Sequence, residues 1–133
     1  MEAIEKIQKA VPDTETRVCR RIGIGHAIHQ GDVYMHRVLA NHPRGKPLGT
    51  RQVAVGTTVG SRHVVEGADV AVFAGKAFQP SQKRKEESLL GPVVVATDTF
   101  TLTHPEHAHH VLPAGTYQVT YQWDDTTMGR VAD

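Results

Sequence analysis

The chain has 133 residues, 39% of them hydrophobic and 5% aromatic, a length and composition that suit one domain with a core of Val, Ile, Leu and Ala. A formal net charge of +1, from 15 basic and 14 acidic residues, argues against nucleic acid as a partner. The single Cys19 excludes an internal disulfide, and because no apolar run approaches a ~20-residue membrane span we expect a cytoplasmic protein without a membrane partner.

The first predicted element is a helix. Ile4, Ile7 and Val11 share one side of residues 2–11, charged residues occupy the other sides, and Pro12 follows. This spacing predicts a short amphipathic helix within residues 1–12. The remaining residues, 13–133, are predicted to form a single β domain.

After Pro12 the hydrophobic period changes to two, which is typical of β-strands. Short strands between glycine-rich breaks are predicted over residues 16–24, 32–39, 51–57, 62–65 and 70–73. Residues 41–49 and 75–90 contain prolines and glycines, and they are interpreted as loops. In the second loop, the basic run 83–85 is followed by two glutamates, a pattern typical of a solvated surface.

The last third of the chain contains the clearest strands. Over residues 93–103 apolar side chains alternate with threonines, which predicts one long strand with an apolar face and a hydroxyl face. Residues 116–123 alternate in the same way, and residues 112–115, Leu-Pro-Ala-Gly, predict a tight turn before them. The sequence therefore predicts a mainly β protein, a small barrel or sandwich with one short N-terminal helix.

Side chains that can bind a metal or transfer a proton are concentrated in residues 104–110, His-Pro-Glu-His-Ala-His-His, which we name the histidine segment. Histidine is the commonest ligand for transition metals, and the segment has enough ligands by number. His63, beside Glu66, is the natural further ligand from another strand. The candidate metal ligands are therefore His63, His104, His107 and His109, and the candidate cofactor is a divalent transition metal. His26 and His29, with Asp32 nearby, form a second group.

Other interpretations of these residues stay open. Surface or interface positions are the favoured interpretation of the histidines, because no helix carries two of them at a metal-binding spacing. Ser61, His63 and Asp69 have the residue types of a hydrolytic triad but lack a nucleophile turn, so we name no catalytic residue.

Four blocks of sequence carry a resemblance to a known group. They are QGDV at residues 30–33, GSRHVVEG at 60–67, HPEH at 104–107 and LPAGTYQV at 112–119. The chain resembles a family of small uncharacterised bacterial and phage proteins with QGDV, GHxH, HPEH and LPxGxYxV motifs. In that family GHxH and HPEH suggest a four-histidine site, which the resemblance carries onto His63, His104 and His107, with Ser61 at the position of the other histidine. The Pro113–Gly115 turn also resembles the second motif of cupins.

These observations favour a non-enzymatic accessory or assembly protein of bacterial or phage origin. Its histidine segment would lie at a ligand or subunit contact, so we expect a homo-oligomer or a protein partner. The rival hypothesis is a cupin-like enzyme in which His63, His104 and His107 bind Fe, Mn, Ni or Zn. A third is a nucleic-acid or defence-related binding module that uses Arg17, Arg20, Arg21 and residues 83–85.

Overall fold

A computed structural model describes residues 15–55, 62–76, 90–124 and 129–130. These ranges contain short strands and no helix, and therefore no helix long and apolar enough to cross a membrane. The helix predicted within residues 1–12 lies outside the described residues. The strands are β1 (Thr16–Val18), β2 (Ala27–Gln30), β3 (Val33–Val38), β4 (Gln52–Val55), β5 (Arg62–Glu66), β6 (Val70–Phe73), β7 (Leu90–Ala96), β8 (Phe100–Thr103), β9 (His109–Leu112), β10 (Gly115–Tyr121), β11 (Trp123–Asp124) and β12 (Gly129–Arg130).

Ten of these strands form two five-stranded sheets. Sheet 1 has the order β1-β9-β8-β5-β4 and sheet 2 has the order β2-β3-β10-β7-β6, while β11 and β12 form a small separate ladder. All pairs are antiparallel except β1 with β9. The mainly β prediction is confirmed, and of its two alternatives the structure is consistent with the sandwich, because the described sheets do not close into a barrel.

Alternate side chains from the two sheets build the core between them. Val33 and Met35 of β3 and Val119 of β10 contribute from sheet 2, while Leu102 of β8 contributes from sheet 1, and all four are completely buried. The rings of Phe100 and Tyr117 meet edge to face across the interior at a centroid distance of 5.4 Å. The low aromatic content is therefore compatible with a core that relies on valine and leucine.

The predicted continuous strand over residues 93–103 is wrong. The chain leaves sheet 2 at Ala96, the end of β7, turns through residues 97–99, and enters sheet 1 as β8 at Phe100. Because the core lies between the sheets, both strands direct alternate residues into it, and the apolar period continues through the crossing. A strand that passes from one sheet to the other thus has the same sequence pattern as a straight one.

The chain crosses back from sheet 1 to sheet 2 between β9 and β10. Strand β8 pairs with β9 in sheet 1, and β7 pairs with β10 in sheet 2. The four strands form one long hairpin folded over the edge of the sandwich, and residues 104–108 form its tip. Strand β9 begins at His109, so the last two residues of the histidine segment belong to the sheet.

The turn between β9 and β10 is closed by a tyrosine. The Tyr117 hydroxyl donates a hydrogen bond of 2.7 Å to the Pro113 carbonyl, four residues earlier. Burial raises the pKa of Tyr117 to about 12. The motif LPAGTY thus combines a turn with the side chain that holds it closed.

We predict that Tyr117→Phe lowers the unfolding free energy by about 1 kcal/mol at neutral pH, because the Pro113 carbonyl loses its donor. Since the folded-state pKa lies above the ordinary value of 10.0, the phenol stabilises the fold below pH 10, and this contribution is lost as the pH rises toward 12. Urea titrations between pH 7 and pH 11.5 should show a shallower alkaline loss in Tyr117→Phe.

The matched control is Tyr34→Phe, on the outer face of sheet 2, where the hydroxyl makes no hydrogen bond with a described residue. An alkaline profile that is identical in wild type and Tyr117→Phe would contradict the prediction.

Candidate functional site

The candidate site forms where two hairpin tips from different sheets meet. In sheet 2, Gln30 pairs with Val33, so Gly31 and Asp32 form a two-residue turn between β2 and β3. Gly31 has a φ of 56°, which such hairpin turns require at the first central position. Gln30 and Asp32 on either side of it are 1% and 2% exposed, so this tip places an amide and a carboxyl group inside the protein.

The Gln30 amide contacts the second tip, that of the β8–β9 hairpin. Its Nε2 donates to the Leu102 carbonyl at 3.0 Å and to the Ala108 carbonyl at 2.8 Å. These two bonds determine the orientation of the amide, because only nitrogen can donate. Its Oε1 must therefore act as an acceptor, and it lies 2.8 Å from Nδ1 of His63 on β5.

This arrangement assigns the His63 tautomer. Nδ1 carries a proton and donates it to Gln30, so Nε2 is the other functional atom of the ring. Nε2 lies 3.4 Å from Oδ1 of Asp32, and both side chains are at most 2% exposed. Two buried acceptors at this distance would repel each other, so the pair has to hold a proton or another cation between them.

His104 performs a different task, at the start of the second tip. Its Nδ1 accepts hydrogen bonds from the backbone N–H groups of Glu106, at 2.9 Å, and His107, at 3.1 Å. Pro105 has no N–H, so these are the first two donors after the histidine. His104 thus closes the HPEH turn in the way that an asparagine or aspartate side chain closes many turns.

Of the other histidines of the segment, His107 and His109 lie closer to the surface and His110 does not. The His107 ring is 4.4 Å from that of His104 and 6.4 Å from that of His63, measured between centroids. His109 points to the outer face of sheet 1, where its Nε2 donates to the His104 carbonyl at 3.1 Å. His110 faces inward and is buried.

A shallow groove of about 490 Å³ runs along the outer face of sheet 1 beside the histidine segment. Three groups line it: Arg62, Val64 and Glu66 from β5, Thr103 with His104 and Pro105, and His109 from β9. Neither His63 nor Asp32 lines the groove. The buried pair is therefore separated from this surface by the sheet itself.

The described side chains fit a metal ion only in part. His63 Nε2 and Asp32 Oδ1 have a suitable separation, and Gln30 orients the imidazole as an outer-shell partner would. His104 instead uses Nδ1 as an acceptor, so its Nε2 carries the proton, and His109 uses Nε2 as a donor. Within the described ranges, no group of three or more His, Cys, Asp or Glu side chains is placed to hold a metal ion.

Of the four candidate ligands, the structure brings His63, His104 and His107 together and places His109 on the other side of the sheet. The second predicted group, of His26 and His29 with Asp32, does not stay together. His29 packs against Tyr34 on sheet 2, and Asp32 lies beside His63. Asp69 contributes a backbone carbonyl to Thr97, and Ser61 lies outside the described residues.

Gln30 carries no predicted site role, and Asp32 is predicted beside His26 and His29 but lies beside His63. The signal was the sequence Gln-Gly-Asp-Val itself, since a glycine in the first position of a two-residue turn brings the flanking side chains to a hairpin tip. The turn alone does not reveal that both side chains are buried. That depends on the second tip, more than seventy residues further along the chain.

One family model matches the chain, over residues 29–122, and it describes a domain of unknown function, DUF8820. The matched range begins just before the first hairpin tip and ends just after β10, so it contains both tips and the buried network. No curated protein and no solved structure matches the chain.

We predict that Gln30→Leu lowers the unfolding free energy by about 2 to 4 kcal/mol, because two carbonyls and the His63 Nδ1–H lose their buried partner. Gln122→Leu is the matched control. Gln122 is exposed and its side chain makes no hydrogen bond with a described residue, so the change should be within about 0.5 kcal/mol. Urea denaturation measures both values, and equal values for the two variants would contradict the assignment.

A second prediction separates the two nitrogens of His104. In His104→Asn the side-chain oxygen lies where Nδ1 lies in histidine, so the bonds from Glu106 and His107 are retained. In His104→Gln the polar atoms lie further out and these bonds are lost, at a cost of about 1 kcal/mol. Amide hydrogen exchange by NMR should be faster for Glu106 and His107 in His104→Gln than in His104→Asn, with β10 as the internal reference. Equal exchange rates in both variants would show that Nδ1 does not hold the turn.

Proposed function

The chain belongs to the DUF8820 family, and we propose that it is a non-enzymatic accessory or assembly protein whose histidine segment is a contact surface. The observation that carries this proposal is the burial of His63 and His104, which are 1% and 2% exposed. One ring nitrogen of each is engaged in holding Gln30 or the HPEH turn. The two motif histidines thus support the surface from inside.

An enzymatic role needs a reactive group that a substrate can touch. The Asp32–His63 pair combines a carboxylate with an imidazole, but it lies in the interior and does not border the groove. The groove itself is bordered by guanidinium, carboxylate, imidazole, hydroxyl and apolar groups, and its imidazoles, of His104 and His109, take part in hydrogen bonds within the turn. Such a mixture is typical of the rim and centre of a protein contact.

The exposed members of the segment are suited to a contact. Glu106 is exposed and His107 and His109 are half-buried, and His109 borders the groove together with Arg62 and Glu66 of β5. The bonds of Gln30 to Leu102 and Ala108 hold both ends of the tip, so the surface is formed before a partner arrives. Preorganisation of this kind lowers the entropic cost of binding.

A specific observation keeps the metal-dependent hypothesis as a second candidate. His63 Nε2 and Asp32 Oδ1 are 3.4 Å apart and Gln30 orients the ring, as expected for two ligands of one divalent transition metal. A bound metal would act as a Lewis acid if a third ligand joined them. His104 would have to give up its hydrogen bonds to the turn in order to serve.

Chemical modification of histidines tests the proposal. In dilute, purified, tag-free protein, diethylpyrocarbonate should modify His107 and His109, while His63 and His104 remain unmodified. In an extract of the cells that naturally produce the protein, the proposal predicts that His107 and His109 become protected. His26 and His29 are the matched controls, because they are exposed and lie before and in β2 of the other sheet, and they should react in both samples.

Equal reactivity of His107 and His109 in both samples would overturn the contact role. Elemental analysis of the same purified protein tests the metal-dependent hypothesis. One metal ion per chain that is lost in His63→Ala and retained in His109→Ala would replace the non-enzymatic proposal with the metal-dependent one.

A further inference from the structure

The outer face of sheet 1 is a continuous surface in the described part of the chain. Along β5, His63 and Val65 point into the core and are at most 1% exposed, so Arg62, Val64 and Glu66 point outward. The outward neighbours on β4, β8 and β9 carry no carboxylate, ammonium or guanidinium group; they are Gln52, Thr101, Thr103, His109 and Val111. Among the described side chains of β4, β5, β8 and β9, the charged groups that point outward are therefore those of Arg62 and Glu66.

Arg62 and Glu66 are too far apart to neutralise each other. Four residues of extended strand separate them by about 13 Å. Both are exposed, and neither forms a hydrogen bond or ion pair with another described residue. Val64, half-buried, lies midway between them. The strand thus presents a positive charge, an apolar centre and a negative charge in a straight row.

This row is complementary to itself. A two-fold axis that lies between two facing sheets, parallel to them, perpendicular to β5 and over Val64, brings Arg62 of one copy opposite Glu66 of the other, and Glu66 opposite Arg62. The two Val64 side chains meet on the axis. An isologous dimer requires this relation, in which residue i meets residue j and residue j meets residue i.

We infer that the partner at this surface is a second copy of the chain, bound face to face through β5 with two Arg62–Glu66 pairs. The inference rests on the proposed function and names the partner of the same surface. His109 and Thr103 border the groove beside the row, so dimerisation also covers part of the histidine segment. Because one small sheet buries a modest area, the dimer forms and dissociates with concentration.

An unrelated partner protein would need charges complementary to Arg62 and Glu66. It would not require Arg62 and Glu66 to be complementary to each other across a two-fold axis, so this self-complementarity favours a second copy of the chain. The two charges also set the orientation. A parallel arrangement of the two β5 strands places Arg62 opposite Arg62 and Glu66 opposite Glu66, and this repulsion leaves the antiparallel arrangement as the favoured one.

Charge reversal with rescue tests the inference. Sedimentation velocity of the full chain over a range of concentrations should show a monomer–dimer equilibrium in the wild type. Arg62→Glu and Glu66→Arg should each weaken association by about tenfold or more, because each creates two like-charge contacts. The double variant Arg62→Glu/Glu66→Arg should restore the wild-type equilibrium.

Mixing the two single variants gives the sharpest result. One has two acidic side chains in the row and the other has two basic ones, so neither pairs with itself but an equimolar mixture should form a heterodimer. Lys46→Glu is the matched control, an exposed charge reversal next to β6 of the other sheet, and it should leave association unchanged. Circular dichroism and thermal unfolding verify that each variant folds.

A wild type that stays monomeric at all concentrations, or single variants that dimerise like the wild type, would overturn the inference. The histidine modification experiment separates this failure from that of the proposed function. A monomeric protein whose His107 and His109 are protected in the cell extract has a different partner, so the self-contact is wrong and the contact surface stands. A monomer with no such protection refutes both.

Discussion

The Gln30 amide joins two hairpin tips that belong to different sheets. Its nitrogen donates to Leu102 and Ala108 in sheet 1, its oxygen accepts from His63, and its own strand belongs to sheet 2. Apolar contacts between the sheets are non-directional, so they stabilise the sandwich without specifying how the two hairpin tips lie relative to each other. Three buried hydrogen bonds to one amide are directional, and they determine the relative position of both tips.

Several properties of the site follow from that position. The His63 tautomer is determined by the Gln30 oxygen, which in turn directs Nε2 toward Asp32. The second tip is held at both ends, and His104 closes its turn from within. The histidines are consequently divided into an inner set that supports the structure and an outer set, His107 and His109, that is accessible for contact.

Individual strands were predictable where apolar and polar residues alternate within the strand itself. The strand predicted over residues 70–73 is β6 with the same bounds, and the predicted strands over 32–39 and 116–123 correspond closely to β3 and β10. Strand β2 was not predicted because only one of its two inward-facing side chains, Ile28, is apolar and the other is Gln30, so there is too little apolar alternation to detect. The break between β7 and β8 was missed for the opposite reason, since alternation continues where the chain changes sheets.

The sequence by itself determined the β class, the faces of most strands and the concentration of histidines in one segment. Alternating burial produces an alternation of apolar and polar residues along the sequence, and the strand predictions depend only on this local pattern. The tertiary structure decided that Gln30, Asp32, His63 and His104 meet, and that His109 lies on the opposite side of the sheet. Their positions span more than seventy residues, and hydrogen bonds between distant side chains leave no periodic signal, so only the packing of two sheets could reveal which of nine histidines lie inside.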